Sequence, residues 1–191
     1  MGEPGRSASE VLELYLQEVR REYRSLKRLA EKSLAQVSDS DFFAALDPGS
    51  NSAAVIVKHL AGNLRSRWTD FLTSDGEKAD RRRDSEFEIG PDDTRASLTR
   101  KWEEGWRTLF AALEALGPED LSRETLIRGE RISVVRAINR QLTHYADHIG
   151  QIVLLSKHWA GERWQTLSIP RGKSEEFNRA ALQGTGEKRK P

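Results

Sequence analysis

The 191-residue chain carries 31 Lys plus Arg against 30 Asp plus Glu, so its net charge of +1 supplies no field that argues for a nucleic acid or an anionic membrane as partner. It holds no cysteine, which removes disulfides, thiolate ligands and cysteine nucleophiles and leaves His, Asp and Glu as candidate metal ligands. The length suits one domain with a full hydrophobic core.

The opening residues MGEPGRSASE contain no apolar stretch that would serve as a signal-peptide core, and no later segment has the apolar length of a membrane span. A cytoplasmic protein is expected. From Ser9 to Ala35 the residues Leu12, Leu16, Val19, Tyr23, Leu26 and Ala30 recur in alternating steps of four and three, which predicts a long amphipathic helix. Ser38 to Asp41 and the turn cluster Asp47, Pro48, Gly49, Ser50 break it. A second helix is predicted from a cap at Ser52 to about Leu72, with Ile56, His59, Leu60, Asn63, Arg67 and Phe71 near one inward face. The stretch from Ser74 to Pro91 is dense in charge with almost nothing to bury, and reads as a long surface loop of the kind that often carries function.

Asp92 and Asp93 suit a helix start, and Leu98, Trp102, Trp106, Leu109, Leu113 and Leu116 form a third stripe ended by Gly117 and Pro118. A short connection containing Gly129 leads to Ser133 as a cap. Val134, Ile138, Leu142, Tyr145, Ile149, Ile152 and Leu155 then mark a fourth helix ending near Gly161. No segment shows the period-two alternation of a strand. Beyond the fourth helix lies the polar, Pro/Gly-punctuated segment SIPRGKSEEFNR, and then a tail expected to be disordered. The expected organisation is an all-α four-helix bundle over residues 9–178 with a tail over 179–191.

Of the four histidines, His144 and His148 stand four residues apart on the fourth helix, where one ion can bridge both rings. His59 faces inward from the second helix, and facing helices are where bundles assemble interior metal sites. Three imidazoles leave coordination positions open, as in catalytic rather than closed structural sites. The alternative is that His59 is a hydrogen-bonded core histidine and the other two are half-exposed neighbours of the stripe. The pair is not a zinc-protease motif, because Tyr145 rather than a glutamate follows His144. Asp147 and Gln151 lie where they can orient an imidazole, although a solvated helix face explains them equally well.

The segments VKHLAGNLRSRW around His59 and HYADHIGQIVLLSKHW around His144 and His148, with the helical pattern between them, resemble the DinB/YfiT-like superfamily of metal-binding bundles over nearly the whole chain, from about Val11 to Asn178. The runs RWTDFLTSDGEKADRRRDSEF and SIPRGKSEEFN look more closely like a subfamily of DinB-like bacterial proteins of unassigned activity. The resemblance implies an up-down-down-up bundle, frequent homodimers, and a nickel, zinc or iron ion on His59, His144 and His148. Its implication for the reaction is broad, since characterised relatives include thiol-dependent transferases and a maleylpyruvate isomerase; fold does not give function.

The leading expectation is a metal-dependent enzyme of the thiol-transferase or hydrolase type, acting on a small molecule with a small thiol as cosubstrate. One rival is a non-catalytic, metal-stabilised stress or binding protein forming a homodimer; another is a metal-free interaction bundle. No clustered basic recognition helix supports nucleic-acid binding. His158, ten residues beyond His148, is expected to be structural. Trp102 and Trp106 fit a core stripe, with an aromatic pocket wall as the alternative. Arg81, Arg82 and Arg83, with Arg171 and Lys173, can gather around an anionic ligand such as a carboxylated thiol, against the commoner fate of solvated surface charge. The segment 168–178 is expected to pack over the bundle, at a pocket mouth or a dimer interface.

Overall fold

The computed structural model describes residues 5–183. Most of them lie in helices: α1 (Ala8–Leu34), α2 (Asp39–Phe43), α3 (Ala53–Trp68), α4 (Arg95–Glu114), α5 (Val134–Ala160) and α6 (Ser174–Leu182). The four long helices α1, α3, α4 and α5 share one core. Their starts follow from caps: the side chains of Ser7, Ser52, Thr94 and Ser133 each accept a hydrogen bond from the backbone N–H three residues on, satisfying donors the helix leaves open. Asp93, expected to open α4, instead sits one residue before the cap and receives Lys58 Nζ at 2.6 Å, the Gly90 N–H at 3.0 Å and Lys101 Nζ at 3.1 Å.

Helix α3 packs most extensively on α4, and α1 packs on α5. The α3–α4 approach depends on Gly105, where an added Cβ would lie 2.9 Å from Leu64 Cβ. In the centre, Tyr23 from α1 meets Trp68 from α3, Trp106 from α4 and Tyr145 from α5, all edge-on, with ring centroids 5.8 to 6.4 Å apart. Trp102 and Trp106 are both core residues. Burying tyrosine requires a partner for each hydroxyl. Tyr23 donates to the Ile138 carbonyl at 2.8 Å, while Tyr145 accepts from Trp68 Nε1 at 3.0 Å and donates to Asn63 Oδ1 at 3.0 Å.

Several local expectations are corrected. The 117–133 connection contains an antiparallel hairpin, β1 (Glu124–Ile127) and β2 (Glu130–Ser133), where no strand was expected. Its two-residue turn places Arg128 at φ +57° and Gly129 at φ +75°, the left-handed pair that matches strand twist. The short helix α2, with a capping box between Ser38 and Asp41, occupies part of the expected break. Helix α3 ends at Trp68 rather than Leu72, because Thr69 is extended and Asp70 adopts φ +49°.

The charged 74–91 segment, expected as a long surface loop with almost nothing to bury, is a structured strap that buries Glu86. Asp75 accepts from the turn N–H groups of Arg128 and Gly129 at 2.8 and 2.7 Å, Gly76 N–H donates to the Leu126 carbonyl at 2.8 Å, and a 3-10 turn covers Asp84–Phe87. The 168–178 segment does not pack over the core as expected: every residue in it except the half-buried Ile169 lacks neighbours enough to be shielded, and Phe177 is exposed. Of the expected tail, residues 179–182 continue α6, and 184–191 lie outside the described residues. Among the described residues no helix is long and apolar enough to cross a membrane.

Tyr145→Phe strands the buried Trp68 N–H and the Asn63 carbonyl without their shared partner. Equilibrium urea unfolding is expected to show a loss of about 1 to 3 kcal/mol.

Candidate metal centre

Two helices bring the three histidines together. His59 projects from the middle of α3, where it is 4 % exposed, and His144 and His148 project from consecutive turns of α5. The ring centroids of His59 lie 5.4 Å from His144 and 5.0 Å from His148, and those of His144 and His148 lie 4.7 Å apart. One ring nitrogen from each falls within 4.8 Å of the others, close enough to hold one metal ion. The geometry fits such an ion. Two nitrogens each bound at 2.0 to 2.1 Å in a tetrahedral set stand about 3.3 Å apart, and the Nε2 atoms of His59 and His144 stand 3.4 Å apart.

The strap fixes how His59 presents itself. Glu86 Oε2 lies 2.9 Å from His59 Nδ1, and Arg81 donates from Nε to Oε1 at 2.8 Å and from Nη2 to Oε2 at 2.9 Å. Burial pushes the Glu86 carboxyl up, but the bonds from His59 and Arg81 outweigh it and hold the group below the usual carboxylate range. An ionised carboxylate only accepts, so Nδ1 carries the hydrogen and Nε2 turns its lone pair toward the other two rings. Phe87 leans on the His59 ring with centroids 4.8 Å apart. Glu86 comes this close because residue 62 has no side chain: a Cβ there would lie 2.7 Å from Glu86 Cδ.

Burial lowers the pKa of His144 to about 3, helped by the charges of His148, His59, Arg81 and Arg140. Burial also lowers that of His148, with His59 adding to it and Gln151 and Asp147 opposing. Both rings are therefore neutral near pH 7, the form that ligates. Their Nδ1 atoms are buried without a hydrogen-bond partner among the described residues, and on His144 this leaves Nε2, the nitrogen that faces His59, as the one turned toward the cluster. The three rings open on a cleft of about 340 Å³.

The remaining candidates fall elsewhere. Asp147 and Gln151 bond to each other at 3.4 Å and line none of the cleft, but both act on His148, Gln151 through a side-chain hydrogen bond and Asp147 through its charge. His158 is exposed and meets Trp159 edge-on. Of the proposed cationic group, Arg81 is committed to Glu86 and Arg83 lines the cleft, whereas Arg82, Arg171 and Lys173 are exposed and line none of it. Glu86, Arg81 as its anchor and Gly62 were missed from the sequence. The only available signal was a glycine one turn after His59, which is weak.

A family model described as "Protein of unknown function (DUF1572)" matches residues 10–173. No curated protein and no solved structure matches the chain.

Gly62→Ala forces Glu86 out of its seat, and overpacking of this kind is expected to cost about 1 to 3 kcal/mol in denaturant unfolding. In metal-free protein, the unfolded chain takes up a proton on residue 144 below about pH 6.5, whereas the folded one resists until about pH 3. The unfolded state binds more protons across that window, so stability falls as pH is lowered through it. Melting curves between pH 7 and pH 4 should show this fall, with a shallower slope in His144→Gln.

Proposed function

The chain belongs to the DUF1572 family, and we propose that it is a metal-dependent enzyme of the thiol-transferase or hydrolase type, with one divalent ion, nickel, zinc or iron, on His59, His144 and His148. The observation that carries this reading is the convergence of three imidazoles from two helices at the floor of an open cleft, one of them held in a single tautomer by a buried carboxylate. A histidine serving only as a core residue has no need of two other neutral imidazoles facing it.

An ion held by three protein ligands keeps positions open, where it lowers the pKa of a thiol or water so that the nucleophile exists at neutral pH. The protein's own part is positional. Glu86 orients His59 and raises its basicity as a ligand, Arg81 keeps Glu86 charged, and the burial of His144 and His148 keeps protons from competing for their nitrogens. With no cysteine in the chain, a thiol nucleophile comes from a small cosubstrate entering by the cleft.

The same reading takes the four long helices as an up-down-down-up bundle of the DinB/YfiT-like kind. The pairing of α1 with α5 and of α3 with α4 supports it. A homodimer belongs to the reading through the family resemblance.

Elemental analysis of protein purified without affinity tag or chelator is the test. About one ion per chain is expected in the wild type and background metal in His59→Ala and His144→Ala, while Glu86→Gln should bind about 10- to 100-fold more weakly in a chelator competition. Background metal in the wild type would remove the proposal. A metal-loaded protein that consumes no thiol with electrophiles and cleaves no ester or amide would leave the ion as a tie between α3 and α5, seen as a sharp drop in melting temperature on its removal.

A further inference from the structure

The wall of the cleft holds an excess of positive charge that the histidine site does not use, one guanidinium of it, that of Arg67, buried with unfilled donors. His59, Asn63 and Arg67 occupy successive turns of one face of α3, so Arg67 stands about 12 Å along the helix from His59, and all three line the cleft. Arg67 is 5 % exposed, yet only its Nη2 has a partner, Glu77 Oε2 at 2.9 Å; its Nε and Nη1 are buried with none.

Glu77 cannot neutralise this guanidinium alone. It also receives Arg128 Nε at 3.0 Å and Arg81 Nη1 at 3.4 Å, so three guanidinium groups share one carboxylate. Glu86 is committed to Arg81 and His59. Across the cleft on α5, Arg140 makes no ion pair with any described carboxylate within 4.0 Å. Among the described residues, five arginines line the cleft and no Asp or Glu does. A buried guanidinium with unfilled donors is costly unless an anion meets it.

We propose that Arg67, Arg128 and Arg140 form an anion subsite beside the histidines, taking the carboxylate or phosphate group of a small-molecule ligand whose other end reaches the imidazoles. Planar guanidinium groups suit either oxyanion, because their N–H donors match its oxygen spacing. Gln141 Oε1, buried and without a partner, leaves one acceptor for an N–H or O–H of the same ligand. The role of the ligand's far end rests on the metal reading above; the anion subsite itself does not.

Calorimetric titration of the full chain with succinate and with inorganic phosphate tests it, with ionic strength held constant by chloride and metal content measured on the same samples. One anion per chain is expected for at least one probe, and the preferred probe tells carboxylate from phosphate. Arg140→Ala, an exposed position that leaves the core intact, should weaken binding by about tenfold or more, as should Arg67→Gln where melting curves show it folded. Absence of binding at millimolar concentrations of both probes, or equal affinity in wild type and Arg140→Ala, would overturn the subsite. Wild type with one ion per chain and no anion binding sinks this inference alone. Anion binding that persists in a wild type without metal supports the subsite and sinks only the metal reading.

Discussion

Much of the site depends on one buried carboxylate. Glu86 is 7 % exposed and has to be met on every side, and it is: two nitrogens of Arg81, one of His59, and the bare backbone of Gly62 beneath. Because a carboxylate in such a place is tolerated only when paired and hydrogen-bonded, its position is over-determined. That over-determination is what allows a charged segment of the chain to act as a rigid part of a site. It joins the 74–91 strap to α3, and it sets the tautomer of the histidine at the centre.

The strap is anchored at its other end by similar means. Asp75 seizes both N–H groups of the hairpin turn, where Arg128 and Gly129 are left-handed, and this brings Arg128 beside Glu77. The hairpin is thus less a sheet than a clasp. Deeper in the core, Tyr145 performs the matching task between helices, since it follows His144 on α5 and bonds Asn63, one turn beyond His59 on α3. The polar row on α3 is buried at each step, and each step has a partner from a different element, but at Arg67 that partner, Glu77, meets only one of the three guanidinium nitrogens.

How much of this was legible follows from the range of each signal. The four long helices declare themselves through periodic apolar residues, and the i, i+4 spacing of His144 and His148 is a local fact that needs only a helix to become a site. Joining His59 to them needs two helices to face each other, which its inward position on an apolar stripe and the family resemblance both suggested. The hairpin was hidden because strands of four residues carry too few alternations to stand out, and because Arg-Gly is a less familiar left-handed pair than Asn-Gly. Glu86 was hidden for a deeper reason: composition marks 74–91 as solvated, and only long-range pairing turns one of its many charges inward. Helix α2 lay inside a stretch whose Ser and Asp residues read as a break, although the same residues make a capping box.

The net charge of +1 concealed the local electrostatics, because the balance over the whole chain says nothing of a cleft lined, among the described residues, by five arginines and no carboxylate. That lining has two opposed effects on the histidines. After burial and the two other histidines, Arg81 and Arg140 add to the disfavouring of a proton on His144, which keeps the ring free to ligate, and by the same repulsion they disfavour a cation at the rings. Under the proposed function these effects are reconciled by an anion in the cleft: its charge offsets the arginines, and an ion at the histidines then offsets part of the anion's own field. Occupation of either place therefore favours occupation of the other, a coupling that holds in both directions by thermodynamic necessity. Under that proposal an ion on the histidines would be held most firmly when an anionic ligand is present, which is when its open coordination positions would have a use.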